Sequence, residues 1–114
     1  MAISIKTVER LQSYFKGVVK RAEHHAQGVK EVIYPTLCLI IAYFDPNSDI
    51  EVSKDDGSQA NTMWVHINGT RYVFAYEHKK SVIEIRKGSR EQPALYSIDN
   101  TKTIKDLINI FEVL

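Results

Sequence analysis

From Ser4 to Gln27, apolar residues recur at Val8, Leu11, Phe15, Val18, Val19, Ala22 and Ala26, the three-and-four spacing of a helix with one buried stripe. Charged residues fill the positions between them, and Gly28 stands where a left-handed residue would end the helix. The pattern then changes. Pro35 pushes Tyr34 toward an extended conformation, and Thr36 to Phe44 is apolar on both faces and rich in β-branched and aromatic side chains, which predicts a central strand with a buried helix as the alternative. Asp45 to Asp49 reads as a turn, Ile50 to Ser53 as a short strand, and Lys54 to Asn61 as a polar loop.

The sharpest local signal is Met63 to Tyr76, two alternating runs joined by Asn68-Gly69, the residue pair of a type I′ hairpin turn. With Ile67 opposite Thr70, one face carries Met63, Val65, Ile67, Tyr72, Phe74 and Tyr76, and the other carries Trp64, His66, Arg71, Val73, Ala75 and Glu77. The first is the expected core face. A tight connection at His78 to Ser81 leads to a strand over 82–87, adding Ile83 and Ile85 to the core face and Val82, Glu84 and Arg86 to the other. A loop over 88–93 and an edge strand over 94–98 follow. Thr103 and Asp106 form a variant capping box, opening a final helix expected to bury Ile104, Leu107, Ile108 and Phe111. The chain therefore reads as one α+β domain over 1–114, an antiparallel β-meander of four to six strands with a long N-terminal helix and a short C-terminal one.

Composition narrows the function classes. Apolar residues are 44% and charged residues 25% of the chain, ordinary globular usage. Fifteen Lys and Arg against fourteen Asp and Glu leave no net field to attract nucleic acid or an anionic membrane, so neither is an expected partner. The longest apolar run, Leu37 to Phe44, is too short to cross a bilayer, and the start has no secretory pattern, which makes the cytoplasm the expected compartment. The single cysteine, Cys38, excludes an internal disulfide and a thiolate cluster, and its apolar flanks predict a buried thiol.

The second sheet face is the leading candidate for function. Trp64, Val73, Ala75 and Val82 make an apolar centre rimmed by His66, Arg71, Glu77, Glu84 and Arg86, the composition of a partner surface in a homodimer; a helix of the same chain covering that face is the equal alternative. The expected function is a non-enzymatic binding or assembly domain, homodimeric through a sheet face or edge, with Trp64, His66, Arg71, Val73, Val82 and Glu84 at the contact. A rival is a small metal-dependent hydrolase or nuclease, in which Glu77, Lys79 and an upstream aspartate (Asp45, Asp49, Asp55 or Asp56) would hold Mg²⁺ and stabilise developing charge. A third is a small-molecule site in an apolar pocket between the first helix and the sheet, lined by Phe15, Val19, Tyr72 and Phe74.

Other motifs resolve to plainer readings. Asp45-x-Asn47-x-Asp49 copies the early spacing of a calcium loop, but Ile50 stands where glycine is needed. His24 and His25 are adjacent on a helix and point about 100° apart, which forms no zinc pair. Lys79, Lys80, Arg86, Lys87 and Arg90 beside Tyr76 and Tyr96 could hold single-stranded nucleic acid, with solvated turn charges the favoured reading. No phosphate loop, dinucleotide fingerprint or serine elbow occurs, so no catalytic residue, metal or cofactor is assigned.

Tyr43-Phe-Asp-Pro46, Trp64-Val-His-Ile-Asn-Gly69, Tyr76-Glu-His78 and Ile83-Glu-Ile-Arg86 resemble the small orphan proteins carried on mobile integron gene cassettes of bacteria. The resemblance implies a bacterial accessory protein and carries over no functional residue.

Overall fold

The structure, a computed structural model, describes the backbone of residues 2–5 and 8, and residues 9–53 and 62–114 in full. Six strands, β1 (Ala2–Ile5), β2 (Ile50–Ser53), β3 (Thr62–Ile67), β4 (Thr70–Glu77), β5 (Val82–Lys87) and β6 (Ala94–Ile98), pair antiparallel in chain order. Three helices, α1 (Val8–His25), α2 (Ile33–Tyr43) and α3 (Ile104–Glu112), complete the domain, with a 3-10 turn over Gln27–Val29. The polar loop expected over 54–61 lies outside the described residues.

The hairpin forms as its sequence dictates. Asn68 and Gly69 take φ of 52° and 79°, the doubly positive conformation that matches the twist of the flanking strands. Ile67 then pairs with Thr70, Trp64 with Val73 and Met63 with Phe74. Asp45 braces the reversal: its two carboxylate oxygens accept the backbone N–H groups of Asn68 and Gly69, each at 2.9 Å, while its own N–H donates to the His66 carbonyl at 2.8 Å. A bulge between β5 and β6 leaves Leu95 as the extra residue of an edge strand, a device that twists an edge away from further pairing.

All three helices pack on the face bearing Met63, Val65, Ile67, Tyr72, Phe74, Ile83 and Ile85, where they build the apolar core. Thr103 accepts from the Asp106 N–H and the Asp106 carboxylate accepts from the Thr103 N–H, so the expected capping box opens α3. Asn100 clamps the turn after α1, accepting from the Glu31 N–H at 2.9 Å and donating to the Gln27 carbonyl at 2.7 Å.

Four expectations are corrected. Residues 36–44 are not a strand but most of α2. Pro35, taken as a break, occupies the first turn of that helix, where an N–H has no intrahelical acceptor to lose. Cys38 is exposed on the outer side of α2, not buried. α1 begins at Val8, because Ala2–Ile5 pairs as a strand with β2. It ends without a left-handed glycine: Gly28 lies in the 3-10 turn, and a side chain there would stand 2.7 Å from the Ser81 carbonyl oxygen. The glycine is demanded by close approach and not by φ. On α3, Leu107 and Phe111 are buried as expected, whereas Ile104 and Ile108 face solvent.

Candidate functional site

α1 turns Tyr14, Val18 and Ala22 toward the sheet at four-residue intervals, one face of a helix. Ala22 and Ala26 are small where they approach the strands, and the volume they leave is not filled from α2 or the sheet. The result is a half-open cavity of about 240 Å³, bounded by α1, by Thr36, Leu37 and Ile40 of α2, and by Met63, Phe74 and Ile83 of the core face.

Two polar atoms are stranded among these apolar walls. The hydroxyls of Tyr14 and Thr36 are buried and have no hydrogen-bond partner among the described residues. Thr36 is only 2% exposed, and its hydroxyl is not engaged by the carbonyl one turn back, the usual outlet for a helical threonine. Burial pushes the Tyr14 hydroxyl up to about 12, with the positive charge of Arg21 acting in the opposite sense. A buried hydroxyl without a partner costs about 1–3 kcal/mol, so two of them at one cavity call for a physical explanation.

The cavity rim is basic. Arg21 and His25 reach it from α1 and His78 from the β4–β5 turn, and no carboxylate lines it among the described residues. The contact of Gly28 with Ser81 ties the end of α1 to that turn, and His78 lies edge-on to the Tyr76 ring at 4.7 Å.

Of the pocket residues expected from sequence, Phe74 lines this cavity. Phe15 and Val19 instead line an open groove between α1 and α2, alongside Cys38 and Ile41. Tyr72 is core and borders neither. The reading missed Tyr14, Arg21, His25, Thr36 and His78. Thr36 carried a usable signal: read as helix, the 33–43 run places the Thr36 hydroxyl on the same buried side as Leu37 and Ile40.

The opposite sheet face carries the expected partner residues together. No helix covers it. Its centre is closed by side chains of the chain itself: Val73, Ala75 and Val82 are buried without joining the core of the other face. Glu84, 2% exposed, accepts from Arg86 at 2.7 Å and meets Lys80 at 3.5 Å. Arg90 reaches across β4 to donate to the Thr62 hydroxyl at 2.7 Å. Toward β2 the face is more open, with Trp64 half-buried, the exposed Arg71 stacked 5.8 Å from its ring centre and 3.8 Å from Glu51, and His66 beside them with a buried Nδ1 lacking a partner.

The nuclease constellation does not converge among the described residues. Asp45 sits at the Asn68-Gly69 end of β4 and Glu77 at the other, roughly 23 Å apart at the rise of an extended strand. Asp49, just before β2, shares the Asp45 end, and Asp55 and Asp56 lie outside the described residues. Glu77 accepts the Lys79 N–H within its own turn. No group of three or more His, Cys, Asp or Glu is placed to hold a metal among the described residues. No helix among them is long and apolar enough to cross a membrane.

Fold and cavity define an α+β domain in which three helices close one face of a six-stranded meander around a small internal space. The chain belongs to the family described as integron cassette protein VCH_CASS1 chain, which it matches over residues 11–108. That membership agrees with the resemblance carried by the Tyr43, Trp64, Tyr76 and Ile83 segments. No curated protein matches the chain.

Proposed function

We propose that this integron cassette protein is a small-molecule-binding domain that encloses a compact, largely apolar ligand between α1, α2 and the sheet. The observation that carries the reading is the Thr36 hydroxyl, buried at an apolar cavity with no partner among the described residues. A ligand acceptor there recovers a hydrogen bond that the protein alone forgoes. An apolar cavity of about 150 Å³ accepts benzene, so this one has room for roughly ten non-hydrogen atoms.

Two substitutions test it. Thr36→Val keeps the shape and removes the stranded hydroxyl; it is expected to stabilise the ligand-free protein by about 1 kcal/mol, a rise in Tm of about 4 °C, and to weaken ligand binding. Ala22→Phe fills the space and is expected to abolish binding. Thermal melts with a panel of apolar compounds of up to about ten atoms measure both. If wild type shows no saturable response, or wild type and Ala22→Phe respond alike, the reading is lost. Should Ala22→Phe not fold, Thr36→Val decides: a variant less stable than wild type and unaltered in binding overturns the proposal.

A second reading, assembly of two copies through the Trp64 face, is favoured by the partnerless His66 Nδ1 beside Trp64 and Arg71. Light scattering is expected to show a dimer that Trp64→Glu converts to a folded monomer, and an unchanged mass would remove this face as the interface.

A further inference from the structure

The ligand's polar end remains to be identified, and the rim of the cavity supplies its chemistry. Besides tyrosines, the ionisable side chains lining the cavity are Arg21, His25 and His78, with no Asp or Glu among the described lining residues. The domain as a whole is nearly neutral, with formal net charge +1, so a lining that carries Arg21 and no carboxylate among the described residues is a local feature. α1 brings Arg21 and His25 to the cavity on the same side as Tyr14 and Val18, while the Gly28–Ser81 contact holds the His78 turn against the end of that helix. The guanidinium is a permanent positive charge with a planar fork of donors suited to a carboxylate. The lining also carries two buried polar atoms without partners among the described residues, the Tyr14 and Thr36 hydroxyls, which donate to an anion without desolvating a countercharge.

We infer that the cavity selects compact carboxylic acids in their ionised form, the apolar body lying between Val18, Ala22, Leu37 and Phe74 and the carboxylate meeting the Arg21 guanidinium, with the Tyr14 and Thr36 hydroxyls as further donors. The inference rests on the ligand-binding reading above. Attraction to a fixed charge grows as the surroundings exclude water, so an acid gains over its neutral isostere at this rim, and an amine of the same shape is repelled. The C-terminal end of α1 carries a partial negative charge that opposes an anion at that end, which places the carboxylate toward Arg21, a full turn inside the helix.

The test compares acid, amide and amine forms of three bodies, phenyl, cyclohexyl and isobutyl, each with the polar group on a short methylene arm, titrated into the whole protein and followed by backbone amide NMR shifts. The acids are expected to bind at least tenfold tighter than the matched amides, and the amines weakest. Arg21→Gln should erase most of the acid's advantage, lowering acid affinity far more than amide affinity, a split that a merely structural role for Arg21 does not produce. Amides or amines binding as tightly as acids, or an acid preference that survives Arg21→Gln, overturns the selectivity and leaves the ligand-binding reading standing. If none of the nine compounds gives saturable shifts at the cavity in wild type, the ligand-binding reading itself falls.

Discussion

Replacing Glu84 with alanine is expected to cost about 3–5 kcal/mol, the range for removing one partner of a buried ion pair, and so a large part of the 5–15 kcal/mol that holds a typical domain together. Glu84 points from the middle of the sheet onto the helix-free face, level with Ala75 on β4 and Ser97 on β6. Burial alone would raise its carboxyl, but the hydrogen bond and charge of Arg86, joined by Lys80, outweigh that and hold it below the ordinary carboxylate value. Alanine strands the Arg86 guanidinium, whose side chain is only 18% exposed, above Val73 and Ala75, leaving it the Gln92 carbonyl as its acceptor among the described residues. Urea unfolding at neutral pH measures the loss, and a cost under about 1 kcal/mol would show the pair to behave as an exposed one. Replacing both members, Glu84→Leu with Arg86→Met, is expected to be far milder, because no buried charge is left unpaired.

The same group sets an acid limit. Its folded carboxyl lies below the unfolded value of about 4.3, so its stabilisation is complete above that value and lost as pH falls through the folded one. Asp99, lowered by the Thr101 hydroxyl and N–H, and Asp106, lowered by the Thr103 N–H and hydroxyl, contribute in the same sense, less so because they face solvent. Stability measured from pH 6 down to pH 2.5 should fall less steeply in Glu84→Gln than in wild type, without becoming flat. An acid limb identical in slope would assign the loss to the aspartates alone.

What the sequence disclosed follows from how local each determinant is. The Asn68-Gly69 turn needs only its own two residues to set φ, and once it is placed the parity of Trp64 and Phe74 follows. The Thr103–Asp106 box is likewise complete within four residues. α2 was misread because the evidence for it is tertiary: one side meets the sheet through Thr36, Leu37 and Ile40, while Phe15 and Val19 of α1 flank Leu37, Cys38 and Ile41 in the neighbouring groove. Apolar residues all round fit that setting as well as a central strand. The cavity was out of reach for the same reason. Its space comes from Ala22 of α1 and Ala26 just beyond it, facing a helix that the periodicity did not separate from a strand, and its signature is a polar atom left unpaired, which no spacing rule reports. Asp45 shows the converse: a residue that looked like a cation ligand spends both oxygens on the N–H groups of a turn twenty-three residues away.

Phe111→Ala is the change expected to do comparable damage from the other side of the sheet. Phe111 is fully buried in α3, its ring stacked on Phe74 at 5.7 Å and tilted against Tyr43 of α2 at 5.6 Å, while Tyr43 donates from its hydroxyl to Glu112 at 2.7 Å. It thus touches an aromatic ring on the sheet and another on α2, and its loss should cost about 3–5 kcal/mol through lost burial and the cavity left behind. Ile108, one turn away and exposed, is the control: Ile108→Ala should change stability by no more than about 0.5 kcal/mol. The contrast tests which side of α3 carries the packing, since the apolar pattern counts both residues equally. Because α2 is also a wall of the cavity, Phe111→Ala should weaken the stabilisation given by any compound that wild type binds there, although Phe111 does not line the cavity. Denaturant midpoints with and without ligand measure both effects. A cost below about 1 kcal/mol, or undiminished stabilisation by ligand in a variant that has lost its packing, would show that α2 holds the cavity wall without support from α3.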